Sequence, residues 1–585
     1  MSTASAPGMD ATKAGTEKGA DAEGSNQQQK GWLYTPHLII FITSACVMVV
    51  ELVAGRLIAR HLGSSLYTWT SIIAVVLAGM SIGNFLGGRM ADRWKVESFL
   101  GWLFWISSAM CLVALVLNNV VAEHTPFEKF SWPVRTAVSV LTIFIMPALS
   151  LGTISPVTAK MALSRSMAVG RTIGSVYAWG AVGSILGTLA TGFFLIALLG
   201  SKAIMLLVAL VLAIVGLSLG PKRVVHGVWT LLLIALVIFS RSSNPTAVKY
   251  LAKAGVREGD TALFTAESNY QYVKVYEDTV ENDKDDTDES SDSDSDSTDS
   301  DDKSADASDA NADSASSDDS QNDNHVVRVL QLDYLIHGYV DPKDSSYLNY
   351  DYEDVYSEAI SRFAKNDQPQ LKTFFIGGGS YTFPRYIQQQ YPGSTMDVAE
   401  IDPMVLEANF QALGLPRNTP IKTYLMDARN AVDDMPADRK YDFVFGDAFN
   451  DLSVPWHLLT KEFGEKVKRH LNPNGAYLVN VIDIYDSGQL VGAYYLTLKQ
   501  LFKNVYVFCT NTDGVSDDRD TFVIAASDAS IDVSDWGPNH DADIAGSVLT
   551  DENIASLVTK SRGRILTDDY APVENMLAPV VRRRQ

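Results

Sequence analysis

The chain has 585 residues, three cysteines and a net charge of −22. The net charge is +9 over residues 1–276 (21 basic and 12 acidic side chains), −18 over 277–323 (2 and 20) and −13 over 324–585 (24 and 37), which sums to −22. The acidic C-terminal part excludes the basic footprint of a nucleic-acid-binding protein, and the three cysteines make neither a disulfide framework nor a metal site.

The N-terminal half is predicted to lie in a membrane. Residues 1–34 are small, polar and charged and lack the apolar core of a signal peptide, so we expect a disordered tail. Residues 35–242 contain about seven apolar stretches of the ~20 residues that a bilayer requires, which predicts a multi-pass α-helical domain with the lipid bilayer as partner. The stretches cover roughly 37–59, 67–90, 98–121, 135–161, 172–199, 202–220 and 224–240.

Charged residues in this half bear on its orientation and its role. Glu51 lies inside the first stretch, where a carboxylate usually faces a partner or a wet cavity. We interpret it either as half of a structural ion pair with Arg56 or as part of a transport or substrate site. Basic residues follow the second stretch, surround the fourth loop and precede the last stretch, so these loops and the N-terminus are expected inside the cell. They are Arg89, Arg93, Lys95, Lys160, Arg165, Arg171, Lys222 and Arg223.

An acidic tract separates two predicted strands. Residues 277–325 are almost wholly Asp, Ser, Ala, Thr and Asn, a composition that predicts a disordered insertion. Its flanks, 270–276 and 326–332, are rich in β-branched and aromatic residues and predict one β-hairpin with a very long loop. The run of carboxylates also indicates a halophilic protein, whose acidic surfaces stay hydrated at high salt.

From residue 371 onward, strands alternate with helices, which predicts a mainly parallel, doubly wound sheet with a ligand beyond the carboxyl ends of its strands. A buried strand ends in Gly377–Gly379, where the backbone can pass beneath a nucleoside. Acids end the next three strands: Glu400 for the ribose hydroxyls, Asp427 for the adenine amino group, and Asp447 for the reacting atoms. This order predicts an adenosyl-sulfonium cofactor. Helix-capping acids and a nicotinamide site are the alternatives.

Seven short stretches carry a resemblance to a known family. They are 267–271, 332–333, 375–379, 400–403, 426–429, 445–448 and 566–574. Together they resemble the spermidine synthase (polyamine aminopropyltransferase) family, in the branch fused to an N-terminal multi-pass membrane domain. The resemblance implies a Rossmann-like α/β domain of the class I AdoMet-dependent transferase type over 341–578, preceded by a small β-domain at 261–276 and 326–340.

The resemblance also implies an activity and a set of site residues. The co-substrate would be decarboxylated S-adenosylmethionine, whose aminopropyl group passes to a small amine with release of methylthioadenosine, and no metal is needed. Asp447 would be the catalytic base. Cofactor contacts would come from Gly377, Gly378, Gly379, Glu400, Asp427 and Ala428. Substrate contacts would come from Gln271, His337, Tyr352 and Asp451. A homo-oligomer is possible.

Departures from the family pattern keep other functions open. Ser380 stands where the family has the aspartate that holds the aminopropyl ammonium, and His337 replaces a glutamine. Asn450 and Asp451 stand where the family has a second carboxylate followed directly by a proline. Ordinary S-adenosylmethionine suits Ser380 better, so a membrane-tethered methyltransferase is one alternative. A non-enzymatic transporter or sensor that binds a nucleoside or polyamine is another. Seven spans with basic loops inside would put the C-terminal half outside the cell, but the cofactor is made in the cytoplasm, and we therefore expect a cytoplasmic C-terminal half.

Overall fold

A computed structural model describes residues 35–124, 126–127, 129–165, 168–220, 222–242, 244–259, 262–280, 325–364, 369–448, 454–538 and 544–582. These residues form a bundle of long helices, a small β-sheet and an α/β domain with a larger sheet. The predicted tail 1–34, residues 281–324 of the acidic insertion, and Asn450 and Asp451 lie outside the described residues. The halophilic interpretation of the acidic tract stays a prediction.

In the described part of the chain, six helices are long and apolar enough to cross a membrane, as a multi-pass membrane domain requires. They are α1 (Thr35–Leu62), α2 (Leu66–Arg93), α3 (Val96–His124), α4 (Trp132–Ser164), α5 (Val169–Leu199) and α6 (Ser201–Leu219). A turn of π-helix at Thr191–Leu195 interrupts α5. The next apolar helix, α7 (Arg223–Phe239), has only 17 residues, about 26 Å of helix. The short helix α8 (Pro245–Lys253) follows it.

The small sheet, the α/β domain and the residues just before them (254–582) are called the soluble part. This part contacts one end of the bundle. Arg60, near the end of α1, forms ion pairs with Glu258 and Glu267. The ring of Trp132, at the start of α4, lies 6.3 Å from the ring of Tyr334 in the small sheet. Because successive helices run in opposite directions, the ends of α1, α3 and α5 face the soluble part.

The opposite end of the bundle carries the basic loops. Asp92 and Lys160, near the ends of α2 and α4, form an ion pair there at 2.8 Å. The helix α7 starts at this end, since its His226 ring lies 5.1 Å from the ring of Trp102 near the start of α3. Just after α7, the chain contacts Arg257 at the soluble end. The helix α7 therefore runs the length of the bundle, and all three predicted basic loops lie away from the soluble part.

The small sheet contains four antiparallel strands in the order β1-β2-β3-β4. They are β1 (Phe264–Glu267), β2 (Tyr272–Val280), β3 (His325–Leu332) and β4 (Leu335–Val340). The prediction that residue 277 begins the acidic insertion is wrong by four residues, because β2 pairs with β3 as far as Val280. Glu277 lies opposite Arg328 in this pairing, and their side chains form an ion pair at 3.4 Å, which favours the longer strand.

The larger sheet has eight strands in the order β12-β10-β11-β9-β8-β5-β6-β7. Strands β5 to β9 are parallel, whereas β10, β11 and β12 pair antiparallel, so the sheet is mixed. The strands are β5 (Lys372–Ile376), β6 (Thr395–Glu400), β7 (Lys422–Leu425), β8 (Tyr441–Gly446), β9 (Leu471–Ile484), β10 (Asn504–Cys509), β11 (Arg519–Ser527) and β12 (Ser547–Val548). The predicted fold class, a helical membrane domain followed by a small β-domain and a Rossmann-like α/β domain, is confirmed.

Helices cover both faces of this sheet. They are α9 (Asp351–Ala364), α10 (Thr382–Gln390), α11 (Pro403–Gln411), α12 (Ala428–Asp434), α13 (Lys461–Arg469), α14 (Leu490–Lys499), α15 (Asp551–Lys560), α16 (Val573–Met576) and α17 (Ala578–Arg582). The parallel strands bring the turn after β5 and the residue after β8 to the same edge, since β5 and β8 are direct neighbours. This edge is where the sequence predicts the cofactor.

Candidate active site

The glycine turn after β5 packs directly on the end of β8. Gly377 has a φ of +97°, and a Cβ added there would lie 2.0 Å from the backbone oxygen of Asp447. A Cβ on Gly378 would lie 2.7 Å from the ring of Tyr381. Only glycine fits at Gly377, because any side chain would push the turn away from Asp447.

Glu400, the last residue of β6, holds this turn. Its carboxylate accepts hydrogen bonds from the backbone N–H of Gly378 at 2.9 Å and of Asp402 at 2.8 Å. Burial raises the pKa of Glu400, and these backbone donors act against that shift. Glu400 therefore connects the turn to the start of the next helix. Its contact with ribose hydroxyls stays a prediction.

Asp447 follows β8 and is held by two neutral donors. Its Oδ1 accepts a hydrogen bond from the side-chain amide of Asn480 at 3.0 Å, and its Oδ2 accepts one from the hydroxyl of Tyr352 at 3.0 Å. Burial raises the pKa of Asp447, and the two hydrogen bonds oppose the shift. Burial, with the Asp447 charge as a second cause, raises the pKa of Tyr352, so this hydroxyl stays protonated. The result is a carboxylate fixed in position but more basic than an ordinary aspartate.

A cavity of about 30 Å³ lies between the glycine turn and Asp447. It has room for about one water molecule. Of the predicted site residues, the three glycines, His337, Tyr352 and Asp447 come together here. The other lining residues are Glu353, Tyr356, Phe375, Ser380, Thr382, Phe383, Pro384 and Phe445. Aromatic rings thus form much of the cavity wall, and Asp447 and Glu353 are the carboxylates in it.

His337 lines this cavity and has one unpaired ring nitrogen. Its Nε2 is buried and has no hydrogen-bond partner among the described residues. Burial lowers the pKa of His337 to about 4, so the imidazole is neutral at pH 7. A neutral ring can exchange a hydrogen bond with a ligand without repelling a cation.

Ser380, the residue that departs from the family pattern, is bound by protein groups. Its side chain is 5% exposed, and its hydroxyl lies 2.6 Å from the hydroxyl of Thr382, which donates to the carbonyl of Tyr339 at 2.8 Å. The Ser380 Oγ also lies where a Cβ on Gly338 would be, 2.0 Å away. The hydroxyl is therefore tied to β4, and an aspartate would crowd this contact.

The remaining predicted residues lie apart from this cavity. Asp427 caps α12, accepting from the backbone N–H of Arg429 at 2.8 Å, and its other oxygen lies 2.9 Å from Nε2 of His457. This is the helix-capping alternative raised for the strand-end acids, because β7 ends at Leu425 rather than at Asp427. Ala428 is buried in the first turn of α12, and the side chain of Gln271 hydrogen-bonds Asp402.

Sequence reasoning did not identify three residues that shape the cavity. Asn480 lies on β9, the strand next to β8. Its position in a predicted strand of the same sheet is the signal that could have identified it. Glu353 and Tyr356 lie on α9 one and four residues after Tyr352, so helical spacing from a predicted site residue could have indicated Tyr356. Burial, and then the Asp447 charge, raise the pKa of Glu353. The described residues include no cluster of three His, Cys, Asp or Glu side chains that could hold a metal.

The C-terminal part of the chain is similar to known proteins. Residues 353–535 match the family described as the spermine/spermidine synthase domain. The chain is 27% identical over 237 residues to a probable polyamine aminopropyl transferase of Bifidobacterium longum, which covers 37% of this chain and 51% of that protein. It is 27% identical over 218 residues to a polyamine aminopropyltransferase of Vibrio vulnificus, covering 35% and 70% of the two chains. The chain thus spans about half the length of the first relative.

Two further similarities extend this comparison. The chain is 28% identical over 142 residues to the human eEF1A lysine and N-terminal methyltransferase, covering 23% of this chain and 20% of that protein. The solved structure of a probable spermidine synthase from Corynebacterium glutamicum aligns with a TM-score of 0.39 and 17% identity, over 53% of this chain and 97% of that one.

Proposed function

We propose that this chain, which carries a spermine/spermidine synthase domain, is a membrane-bound transferase that moves an aminopropyl group from decarboxylated S-adenosylmethionine to a small amine. The observation that carries the proposal is the position of Asp447. Its carboxylate follows β8, beside the glycine turn after β5, and is oriented by Asn480 and Tyr352. A carboxylate fixed beside a nucleoside-type turn is what proton removal from an attacking amine requires.

The proposed reaction needs one base and accurate placement. The amine arrives protonated, and Asp447 takes a proton from it, which frees the nitrogen lone pair. The nitrogen then forms a bond to the carbon next to the sulfonium, the carbon–sulfur bond breaks with its electrons moving to sulfur, and methylthioadenosine leaves. Because the sulfonium is already a good leaving group, alignment of the two partners supplies much of the remaining rate. The raised pKa of Asp447 makes it a better proton acceptor.

We propose the following division of the other residues. The glycine turn, Glu400, Asp427 and Ala428 hold the nucleoside end of the co-substrate. His337 and Tyr352 line the amine side of the cavity, and their neutral side chains leave Asp447 as the charge that attracts an ammonium group. Gln271 supports this side indirectly through Asp402. Asp451, which lies outside the described residues, is a further candidate for binding the amine.

Identification of the product tests the proposal. Full-length protein, purified in detergent, is incubated with decarboxylated S-adenosylmethionine and a series of diamines, and the products are separated by chromatography. The proposal expects methylthioadenosine and an aminopropylated amine in equal amounts. An unfolding transition shows that the purified protein is folded. If such a protein yields no methylthioadenosine with any diamine, the proposal is overturned.

A methyltransferase is the second candidate, because Ser380 is tied to Thr382 and offers no carboxylate to an aminopropyl ammonium. The similarity to a human methyltransferase supports the same alternative. The same assay with ordinary S-adenosylmethionine distinguishes the two, since methyl transfer yields S-adenosylhomocysteine. Binding of both cofactors without turnover of either would instead favour a sensor or transporter.

We further propose that the soluble part faces the cytoplasm, where the co-substrate is made. This placement puts the basic loops, which lie at the opposite end of the bundle, outside the cell. It is therefore a departure from the usual charge rule for membrane proteins, and labelling from each side of the membrane tests it.

A further inference from the structure

A second cavity, of about 960 Å³, lies inside the helical bundle, among α1, α2, α4 and α5. Asp92 and Lys160, near the ends of α2 and α4, line it. The cavity therefore reaches the end of the bundle that carries the basic loops, on the side away from the soluble part. Sites for small molecules typically enclose about 300–1,000 Å³, so this cavity has the volume of a ligand site.

Three neutral polar side chains line this cavity deep in the bundle. Ser44 lies nine residues after the start of α1, Asn84 nine residues before the end of α2, and Ser155 nine residues before the end of α4. Nine residues of helix span about 13 Å, and the hydrocarbon core of a membrane is about 30 Å thick. The three side chains therefore lie at a similar depth, toward the middle of the membrane.

The hydrogen-bonding groups of Ser44, Asn84 and Ser155 are available to a ligand. None of these three side chains forms a hydrogen bond with another described residue. By contrast, Thr43 and Thr158 on the same helices donate to the backbone carbonyls four residues before them, each at 2.8 Å. Polar groups at membrane depth are costly without partners and usually face a wet cavity or a functional site. A polar ligand in the cavity would supply those partners.

The outer part of the cavity carries one charge of each sign. The carboxylate of Asp92 and the ammonium of Lys160 form an ion pair at 2.8 Å, and both side chains are exposed. The other described residues that line the cavity are uncharged, so its lining has no net charge. A ligand with a single charge would meet no excess of the opposite sign. A ligand with both charges can bind each member of the pair.

We propose that this cavity binds a small polar zwitterion of the amino-acid type. Its ammonium contacts Asp92, its carboxylate contacts Lys160, and its polar side chain extends toward Ser44, Asn84 and Ser155. A zwitterionic lipid shares the headgroup charges, but its acyl chains would leave the three deep polar side chains without partners. The inference does not depend on the proposed enzymatic activity, because the cavity lies at the other end of the bundle from the soluble part.

Binding of radiolabelled amino acids tests this inference. Full-length protein in detergent is titrated with L-serine, L-asparagine and L-glutamine. Each is then competed with its methyl ester, which lacks the carboxylate, and with its N-acetyl form, which lacks the ammonium. We expect at least one of the three amino acids to bind saturably, and about tenfold or more tighter than both derivatives, because each derivative loses a charged hydrogen bond. The absence of saturable binding, or equally tight binding of the derivatives, would overturn the inference.

Variants of the deep polar side chains locate the bound amino acid. Asn84→Leu and Ser155→Ala each remove a hydrogen-bonding group from the cavity and should weaken binding severalfold. Ser218→Ala is the matched control, because Ser218 is exposed near the same end of the bundle on α6 and does not line the cavity. Unchanged binding in both cavity variants would place the ligand elsewhere and contradict the proposed site.

Variants of the ion pair should change the preferred ligand, an outcome that a misfolded protein cannot give. Lys160→Gln leaves the Asp92 charge alone, so the cationic methyl ester should bind more tightly than the amino acid itself. Asp92→Asn should favour the anionic N-acetyl form for the converse reason. Lys95→Gln, at an exposed lysine of a basic loop, should keep the preference for the zwitterion. If both ion-pair variants also keep that preference, the proposal is wrong.

Discussion

The side-chain amide of Asn480 donates a hydrogen bond to Oδ1 of Asp447 at 3.0 Å, across the neighbouring strands β9 and β8. This bond stabilises the charged form of a carboxylate whose pKa burial raises. The position and the basicity of the proposed catalytic base therefore both depend on a residue that makes no proton transfer itself.

The variant Asn480→Ala should move the acid side of the pH–rate profile. Loss of the hydrogen bond raises the pKa of Asp447 further, so the carboxylate is protonated at a higher pH and kcat/KM falls earlier as the pH drops. At high pH the rate should approach that of the wild type. Measurement of kcat/KM between pH 5 and 9 checks this.

Tyr352→Phe removes the other hydrogen bond and should shift the profile in the same direction. Tyr250→Phe, at a side chain 71% exposed on α8, is the matched control and should leave the profile unchanged. An acid limb that stays in place in both Asn480→Ala and Tyr352→Phe would show that Asp447 does not control the rate.

A chain of hydrogen bonds links the first membrane helix to the glycine turn. Arg56 on α1 donates to the backbone carbonyl of Asn269. The neighbouring Ser268 donates to Asp402 at 2.6 Å. The backbone N–H of Asp402 in turn donates to Glu400, which accepts from the turn. The interpretation of Arg56 as a partner of Glu51 is thus replaced by a contact with the soluble part.

We therefore predict that Arg56→Gln loosens the cofactor side of the site without touching the base. Burial raises the pKa of Asp402, and hydrogen bonds and the Arg56 charge act against it. The KM for the adenosyl co-substrate should rise about tenfold, equivalent to about 1.4 kcal/mol, with little change in kcat. Arg93→Gln is the control. A fall in kcat at unchanged KM would contradict a positioning role.

Gly377→Ala should separate backbone strain from the packing of the turn on Asp447. The positive φ alone costs about 1–3 kcal/mol for a non-glycine residue, and the added Cβ also clashes with the Asp447 carbonyl at 2.0 Å. Gly414→Ala is matched, because Gly414 has a φ of +80° and open space around it. We expect both variants to lower the unfolding temperature, but only Gly377→Ala to lose activity, by 100-fold or more. Similar activity in the two would contradict the packing argument.

Cysteine labelling tests the side of the membrane on which the soluble part lies. The three native cysteines are buried, so labelling of the protein reports on the introduced cysteine alone. Ser534→Cys lies on the exposed surface of the α/β domain, and Lys95→Cys lies in a basic loop at the other end of the bundle. A membrane-impermeant maleimide should label Lys95→Cys in intact cells and Ser534→Cys only after permeabilisation. The reverse pattern would place the soluble part outside and leave it without the proposed co-substrate.

The strand ends explain which parts of the site could be predicted. Alternating apolar strands and helices fix the order in which Gly377, Glu400 and Asp447 reach one sheet edge, because parallel neighbours end together. The same pattern did not predict that β7 ends at Leu425. Asp427 therefore lies beyond the strand, where it caps α12. Asn480 was missed because its contact depends on the pairing of β8 with β9, which is a tertiary relationship. The link from Arg56 to Glu400 depends on how two domains meet, which periodicity does not report.

The most direct test of the central claim compares Asp447→Asn with Asp434→Asn, an exposed aspartate on α12, in the formation of methylthioadenosine from decarboxylated S-adenosylmethionine and a diamine. Loss of a general base lowers rates by roughly 10²–10⁴-fold. We predict that Asp447→Asn loses at least about 100-fold with an unchanged unfolding temperature, while Asp434→Asn matches the wild type. An Asp447→Asn enzyme that forms methylthioadenosine at the wild-type rate would contradict the account.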